Sequence, residues 1–168
     1  MTGSPVQPVS LRLFATLDAL AISYTTTGHP AAFTVEQGNA VWGHIPGVHC
    51  KNLFLKDAKG KLWLVVAPAE HKIDLKQLPA TIGSARLSFA SAQLMDEVLG
   101  VSPGSVTPFA LINDRDRRVT VVLDAWMMDQ PLLNYHPLTN QATTTLSNED
   151  FGKFLRHCGH RSVVVALP

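Results

Sequence analysis

Lys51 is the residue whose chemistry is easiest to relate to a reaction. It follows a turn that contains Pro46 and Gly47, and it opens the apolar run of residues 52–55. A lysine ammonium at the mouth of a cleft can hold a phosphate or polarise an ester carbonyl. A solvated lysine at the end of a strand would give the same local sequence. Lys51 is therefore a candidate catalytic residue, with a purely structural role as the alternative.

A second candidate is the loop that begins at Gly100 and leads into an apolar run. Its glycines allow a ligand to approach the backbone closely, and its prolines fix φ and stiffen the chain. One backbone N–H aimed at a developing oxyanion can contribute about 3 kcal/mol in the transition state. A plain turn before a strand is the alternative interpretation. The candidates are Gly104 as the catalytic position and, for substrate contact, Ser105, Val106, Thr107 and Pro108.

Three further polar residues could contact a substrate. Asn52 offers a donor and an acceptor, but alternation along a strand places it on the face opposite Lys51. The two could share one site only if the strand twists or bulges. His136, in the segment 134–140, has an unperturbed pKa near neutrality and could bind substrate or move protons. A histidine before proline can equally be a structural hydrogen-bonding residue. Asn140 closes the same segment.

Metal and nucleophile chemistry finds little support in the sequence. Residues 49–50 and 157–160 supply histidine and cysteine, but the chain has no Cys-x2–4-Cys pair. The signatures of α/β-hydrolases, P-loop proteins, dinucleotide-binding proteins and zinc metalloproteases are absent. No base lies near Ser105 to make it a covalent nucleophile. We expect no metal and no cofactor, so a hydrolase built from these residues must act by positioning and hydrogen bonding.

Composition narrows the range of partners. The chain has 168 residues, 46% of them hydrophobic and 16% charged, which is typical of one globular domain. A net charge of +1 disfavours binding to extended DNA and permits contact with a short piece of RNA. No apolar run reaches the roughly 20 residues of a membrane span. The N-terminal residues lack the features of a signal peptide, and two cysteines are too few for a disulfide framework. We expect a cytoplasmic location.

The elements that must position these residues follow from apolar spacing and from capping residues. Helical periodicity begins after Ser10, and Gly28 ends that segment. Ser91 and Ser147 are further N-cap candidates. The predicted helices span residues 10–27, 36–42, 75–82, 91–99 and 147–158.

Short β-branched and apolar runs predict the strands. Residues 57–60 and 113–117 have the composition of hairpin turns. Because strands outnumber helices and come partly as hairpins, a mixed sheet fits better than a doubly wound parallel one. The predicted strands span residues 33–35, 52–55, 62–67, 87–89, 109–112, 119–123, 142–146 and 162–166.

The three candidate blocks together resemble one family. Lys51-Asn52 with the strand after it, the loop 104–108 and the segment 134–140 are similar to the corresponding motifs of the YbaK/ProX aminoacyl-tRNA deacylases. The same domain occurs as an editing insertion in some prolyl-tRNA synthetases. The resemblance implies an α/β domain over residues 1–168, with a central mixed, largely antiparallel, barrel-like sheet flanked by helices. Its deacylase core would span about 30–168 and its N-terminal helix about 10–27.

The resemblance also implies a mechanism and roles. Family members position a water at the ester of a mischarged tRNA and stabilise the oxyanion with a lysine and loop backbone, helped by the terminal ribose hydroxyl of the tRNA. Lys51, Gly104 and His136 would then be catalytic. The substrate-binding residues would be Asn52, the loop residues Ser105–Pro108, Asn140 and, as pocket lining before the first strand block, Thr34, Glu36 and Val41.

The expected substrate follows from the limits of size discrimination. A synthetase pocket shaped for proline cannot firmly exclude alanine, because a missing methylene is worth only about 1–3 kcal/mol. The segments around Pro30, Gly47 and Lys51 resemble the ProX-type branch, which clears Ala-tRNA(Pro). The expected partners are the acceptor end of mischarged tRNA and, transiently, prolyl-tRNA synthetase. The alternatives are a deacylase for cysteine or another small amino acid, and a non-catalytic module that binds tRNA or a synthetase.

Overall fold

The computed structural model describes residues 8–31 and 34–168. Three of the helices begin at a side chain that accepts a hydrogen bond from the first turn: Thr34 from Gln37 N, Ser91 from Leu94 N and Ser147 from Asp150 N. Glycines in the left-handed conformation end three helices. The α-helices are α1 (Leu11–Ala19), α2 (Val35–Trp42), α3 (Leu78–Ile82), α4 (Ala92–Leu99) and α5 (Asn148–Cys158), with 3-10 turns at Pro8–Ser10, Pro108–Asn113 and Met127–Asp129.

Eight strands form a mixed sheet in the order β1-β7-β6-β2-β3-β5-β8, with β4 paired to β2. Four of the described pairings are antiparallel (β1–β7, β2–β3, β2–β4, β6–β7) and three are parallel (β2–β6, β3–β5, β5–β8). The predicted α/β domain with a mixed sheet flanked by helices is confirmed. The strands are β1 (Tyr24–Gly28), β2 (Val48–Asp57), β3 (Leu62–Pro68), β4 (Leu87–Phe89), β5 (Val119–Asp124), β6 (Leu132–Tyr135), β7 (Ala142–Ser147) and β8 (Ser162–Val165).

Strand β2 connects the two parts of the sheet. Its first residues, Val48 and His49, pair with β6, while residues 50–56 pair with β3 on the other edge. Strand β4 pairs with the same edge of β2 as β6 does, but this pairing begins only at Leu55. In the described part of the chain, residues 50–54 of β2 therefore have no strand on that edge. This gap is where the candidate site opens.

Alternate residues of the central strands face two separate apolar clusters. Phe54, Leu64 and Val66 belong to the larger cluster, which also packs against α1, α4 and α5. Leu55 and Val65 belong to a smaller cluster that packs against α3 and the C-terminal residues. Because both faces of β3 are buried, this strand is a continuous apolar run. In β2 the fully buried apolar residues are Phe54 and Leu55, and the residues before them are only half-buried.

The predicted helix over 10–27 is wrong beyond Ala19. Leu13 and Leu17 are fully buried, as the helical spacing requires. The threonines that follow are β-branched, and they form β1 opposite the threonines of β7, with Thr26 and Thr144 hydroxyls 2.8 Å apart. Tertiary pairing with a distant threonine strand thus ends the helix early.

The predicted strand over 109–112 is also wrong, and with it the second hairpin. These residues lie in the 3-10 segment Pro108–Asn113, where Thr107 accepts a hydrogen bond from Phe109 N. The run is apolar because it is wholly buried, and a short buried run cannot be assigned to strand or helix from periodicity alone. Strand β5 at residues 119–124 is confirmed.

Three smaller differences remain: the start of one helix, one strand that was not predicted, and one predicted strand that overlaps a helix. Helix α3 begins at Leu78 rather than at residue 75, because residues before it form a turn capped by Asp74. Strand β6 was not predicted from its four residues. The strand predicted over 33–35 is contradicted at its end, because Val35 starts α2; residue 33 lies outside the described residues.

Candidate active site

A cavity of about 200 Å³ opens at the uncovered edge of β2. It lies where the start of β2, helix α2, the loop before the 3-10 segment and the residue after β6 meet. All three sequence blocks contribute to its wall. The lining residues are Thr34, Asn39, Trp42, Cys50, Lys51, Asn52, Ala69, Gly104, Val106 and His136.

Lys51 brings a positive charge to this wall without a neighbouring carboxylate. It lies opposite Ala67 in the β2–β3 register and is half-buried. Its ammonium takes part in none of the ion pairs found among the described residues. Burial lowers the pKa of Lys51 below its usual value. An uncompensated, partly desolvated cation is suited to stabilise a negative charge that a ligand brings or develops.

Asn52 lies in the same wall although alternation directs it to the opposite face. Both residues line the cavity although the β2–β3 register is continuous from Cys50 to Lys56, so no bulge is needed. The side-chain oxygen of Asn52 is buried and has no hydrogen-bond partner in the described part of the protein. Such an atom costs about 1–3 kcal/mol when it stays unpaired. It is therefore an acceptor available to a ligand that carries a donor.

The glycine loop contributes Gly104 and Val106 to the wall. Gly104 has φ of 91°, a conformation that favours glycine, and it lines the cavity together with Val106. Ser105 is buried, and its N–H donates to Ser102 O at 3.0 Å, so it serves the turn. Thr107 is buried as the cap of the 3-10 segment. Of the predicted loop contacts, Ser105, Thr107 and Pro108 lie outside the cavity wall.

His136 reaches the cavity from the end of β6. Its Nδ1 lies 3.3 Å from Ala142 O, and since a carbonyl only accepts, Nδ1 carries the hydrogen and Nε2 is an acceptor. Burial lowers the pKa of His136, the bond to Ala142 opposes that shift, and the nearby His29 and His49 lower the pKa further. His136 is therefore neutral at neutral pH.

Comparison with known proteins identifies the family of this chain. A family model described as the aminoacyl-tRNA editing domain matches residues 29–154. The chain belongs to this family. It is 38% identical over 156 residues to the prolyl-tRNA editing protein ProX of Acetoanaerobium sticklandii, covering 92% of this chain and 95% of that one. It is 41% identical over 154 residues to the prolyl-tRNA synthetase associated domain-containing protein 1 of Bos taurus, covering 89% and 90%.

A solved structure supports the fold of the editing domain. Its description proposes a trans-editing enzyme for prolyl-tRNA synthetase, and it superposes with a TM-score of 0.73 over 98% of this chain and 100% of its own. Its sequence identity to this chain is 17%. At that identity the likeness bears on the fold alone.

Trp42 is the main wall residue of the editing domain that the sequence did not reveal. Its ring centroid lies 5.4 Å from His136, 5.2 Å from His29 and 6.3 Å from His49. The indole lies over Gly38, where an added Cβ would come within 2.1 Å of it. The sequence signal that could have indicated this packing is the spacing of Gly38 and Trp42, because residues four apart lie on the same face of a helix. Asn39, Cys50 and Ala69 were also missed.

Of the three residues predicted to line the pocket in this segment, only Thr34 lies in the wall of this cavity. Thr34 lines the cavity as well as capping the helix. Glu36 is exposed and Val41 is half-buried, and neither is in the wall. At about 100° per residue, the cavity-facing side of α2 is the one that carries Asn39 and Trp42. Asn140 is half-buried in the turn before β7 and is also outside the wall.

Cys50 and the remaining histidines do not form a nucleophile or a metal centre. Burial raises the pKa of the Cys50 thiol to about 12, and its sulfur lies 3.5 Å from Met127 Sδ. Such a thiol is inert at neutral pH. Within residues 8–31 and 34–168, no group of three histidine, cysteine or acidic side chains is arranged to hold a metal ion. No helix in the same residues has the length and apolar character of a membrane span.

Proposed function

We propose that this protein is a trans-editing aminoacyl-tRNA deacylase that hydrolyses the ester of mischarged tRNA. The observation that carries the proposal is the cavity in which Lys51, Asn52, Gly104 and His136 meet. The relative named as the prolyl-tRNA editing protein ProX matches over 95% of its length. The name of this relative supports the editing activity that we propose.

The proposed reaction needs only groups of this chain, a water and the tRNA itself. The water oxygen attacks the ester carbonyl carbon, and the charge that develops on the carbonyl oxygen is stabilised by the Lys51 ammonium and by loop backbone at Gly104. The carbon–oxygen bond to the terminal ribose then breaks. The water's proton passes to the leaving ribose oxygen, with the neighbouring ribose hydroxyl and the Nε2 acceptor of His136 as the relay. The products are the free amino acid and the tRNA.

Asn52 and the neutral His136 supply contacts to the amino acid. The unpartnered Asn52 oxygen is a suitable acceptor for the α-ammonium group of an aminoacyl ester. Two cations, Lys51 and that ammonium, then lie in one wall, so a neutral rather than protonated His136 avoids a third charge.

The size of the cavity favours a small amino acid. Its volume of about 200 Å³ lies below the roughly 300–1,000 Å³ of pockets that hold drug-sized ligands. The indole of Trp42 closes one side and is held by three histidine contacts. We propose alanine on tRNA(Pro) as the substrate, with prolyl-tRNA synthetase as the transient partner that releases it. Cysteine or another small residue is the alternative.

The test is deacylation of Ala-, Cys-, Ser- and Pro-tRNA(Pro) by catalytic amounts of the protein. Release of alanine with proline spared supports the proposal. Release of cysteine or serine instead keeps the deacylase chemistry and changes the substrate. Binding of these tRNAs without turnover of any of them would overturn the enzymatic proposal in favour of a binding module.

A further inference from the structure

We propose a second binding site beside the cavity: a groove centred on Trp126 that holds an unpaired nucleobase of the tRNA 3′ end. The inference rests on the proposed function, because it gives a place to the nucleotide next to the one whose ester lies at Lys51. It concerns residues that belong to none of the three sequence blocks.

The groove lies at one end of the sheet, where the parallel strands β3, β5 and β8 finish. Its volume is about 410 Å³. Ligands of α/β proteins commonly bind just outside the carboxyl ends of parallel strands. The groove is lined by Pro68, His71, Asp124, Trp126, Ala166 and Leu167.

Trp126 presents a flat apolar surface to solvent on a fixed backbone. Its side chain is 57% exposed, whereas the next residue, Met127, is fully buried. The Trp126 carbonyl accepts hydrogen bonds from Asp129 N and Gln130 Nε2, which hold the turn in place. Because every base has a π-face, an exposed indole is a stacking platform for unpaired nucleotides.

Polar atoms around the indole match the edge of a base. His71 Nε2 is buried and has no hydrogen-bond partner among the described residues. The Asp124 side chain, only 4% exposed, uses one oxygen to accept from Met127 N at 2.9 Å. A carboxylate has capacity for further donors, and carboxylates accept from the amino group of cytosine in base recognition. The groove therefore suits a base with an exocyclic amine.

The groove and the cavity share a boundary. Pro68 lines the groove and the next residue, Ala69, lines the cavity. Cys50, in the cavity wall, is the register partner of Pro68 and contacts Met127, the residue after Trp126. The groove is therefore within reach of an unpaired strand whose terminal ester enters the cavity. The exposed Lys72 beside His71 is available to a backbone phosphate.

The experiment compares a long and a short substrate. Single-turnover deacylation is measured with Ala-tRNA(Pro) and with the alanyl ester of adenosine, which has no preceding nucleotide. The variants are Trp126→Ala, Trp126→Phe, which keeps a stacking ring, and Phe89→Ala, which removes an exposed aromatic side chain elsewhere. Both substituted side chains are exposed, so we expect all three variants to keep the fold.

The expected result is specific to the long substrate. Trp126→Ala raises the half-saturating concentration for Ala-tRNA(Pro) by about tenfold, within the range measured for one base–aromatic stack, and leaves the maximal rate unchanged. Trp126→Phe and Phe89→Ala resemble wild type, and no variant affects the adenosine ester. An unchanged half-saturating concentration for Trp126→Ala, or equal losses on both substrates, would overturn the inference while the deacylase function stands.

A failure of the proposed function gives a different pattern. If wild-type protein hydrolyses none of the substrates, affinity is measured instead with a short single-stranded RNA that carries the tRNA 3′ sequence. Weaker binding by Trp126→Ala, but not by Trp126→Phe, would support the groove on its own. Equal binding by all variants would overturn it.

Discussion

The two ends of β2 use polar residues in opposite ways. At the far end, Asp57 is 3% exposed and accepts hydrogen bonds from Lys59 N, Lys61 N, Trp63 Nε1 and Ala85 N. Burial alone raises the pKa of Asp57, but these hydrogen bonds outweigh it and lower the pKa. The carboxylate closes the β2–β3 hairpin and anchors the chain before β4.

At the near end, the polar groups are left unsatisfied. The Asn52 oxygen is buried without a partner in the described residues, and Lys51 has no ion pair there. Folding gains nothing from these groups, since unpaired buried polar atoms cost free energy. The polar group at one end of β2 has its hydrogen bonds satisfied within the protein, whereas those at the other end do not. This difference indicates that the second end binds a ligand. Four predictions test this contrast.

Lys51→Ala tests the functional end most directly. We expect the deacylation rate constant to fall by about 10²–10³-fold, as when an oxyanion-stabilising group is removed, with the free energy of unfolding unchanged. The matched control is Lys56→Ala, an exposed lysine on the same strand. Wild-type turnover by Lys51→Ala, or an equal loss in Lys56→Ala, would contradict the role of Lys51.

Asp57→Ala tests the structural end. Four donors would lose their acceptor, so we expect the free energy of unfolding to fall by about 3 kcal/mol, or roughly 6–12 °C in Tm for a chain of this size. Deacylation per folded molecule should be unchanged at a permissive temperature. Asp116→Ala, at an exposed position, is the control for charge. If activity per folded molecule fell while Tm held, the contrast between the two ends would be wrong.

Asn52→Ala and Asn148→Ala compare an amide oxygen that has no hydrogen-bond partner in the described residues with an amide that has two partners. Removing an unsatisfied acceptor should not lower the free energy of unfolding, while deacylation efficiency falls about tenfold through loss of one hydrogen bond to a charged group. Asn148→Ala is the counterpart, because its amide donates to Met128 O and Gln130 O at 2.7 and 2.8 Å. That variant should lose stability. Denaturant unfolding and single-turnover kinetics measure both quantities; a destabilised Asn52→Ala would show that the amide has a structural partner.

The smallest expected effect is on the pH dependence of deacylation and of stability. The pKa of folded His136 lies below 6.5, so we expect the acid limb of deacylation to have its midpoint below pH 6.5. Because the folded state resists protonation, His136 also lowers stability as pH falls through 6.5 toward the folded pKa. His136→Gln should remove both effects. On the alkaline side the lowered Lys51 pKa places loss of the ammonium below pH 10.5. An acid midpoint above 6.5 would contradict the neutral assignment of His136.

Local signals were sufficient for many elements. Ser91 and Ser147 cap their helices as predicted, and the hairpin of β2 and β3 turns at residues 57–60. Each of these depends on hydrogen bonds between residues close in sequence. The misassigned segments depend on distant partners instead. Residues 24–28 became β1 by pairing with β7, and residues 109–112 took a 3-10 conformation inside the core.

The candidate site shows the same division. Residue types and local spacing were enough to identify the reactive groups: a lysine and an amide after a turn, a glycine loop and a histidine before proline. Only the tertiary structure decided that Lys51 and Asn52 share one wall with Gly104 and His136. That depends on β6 leaving β2 after His49 and on α2 placing Trp42 against the histidines. These contacts join segments far apart in the chain, and packing of the whole sheet sets their distances.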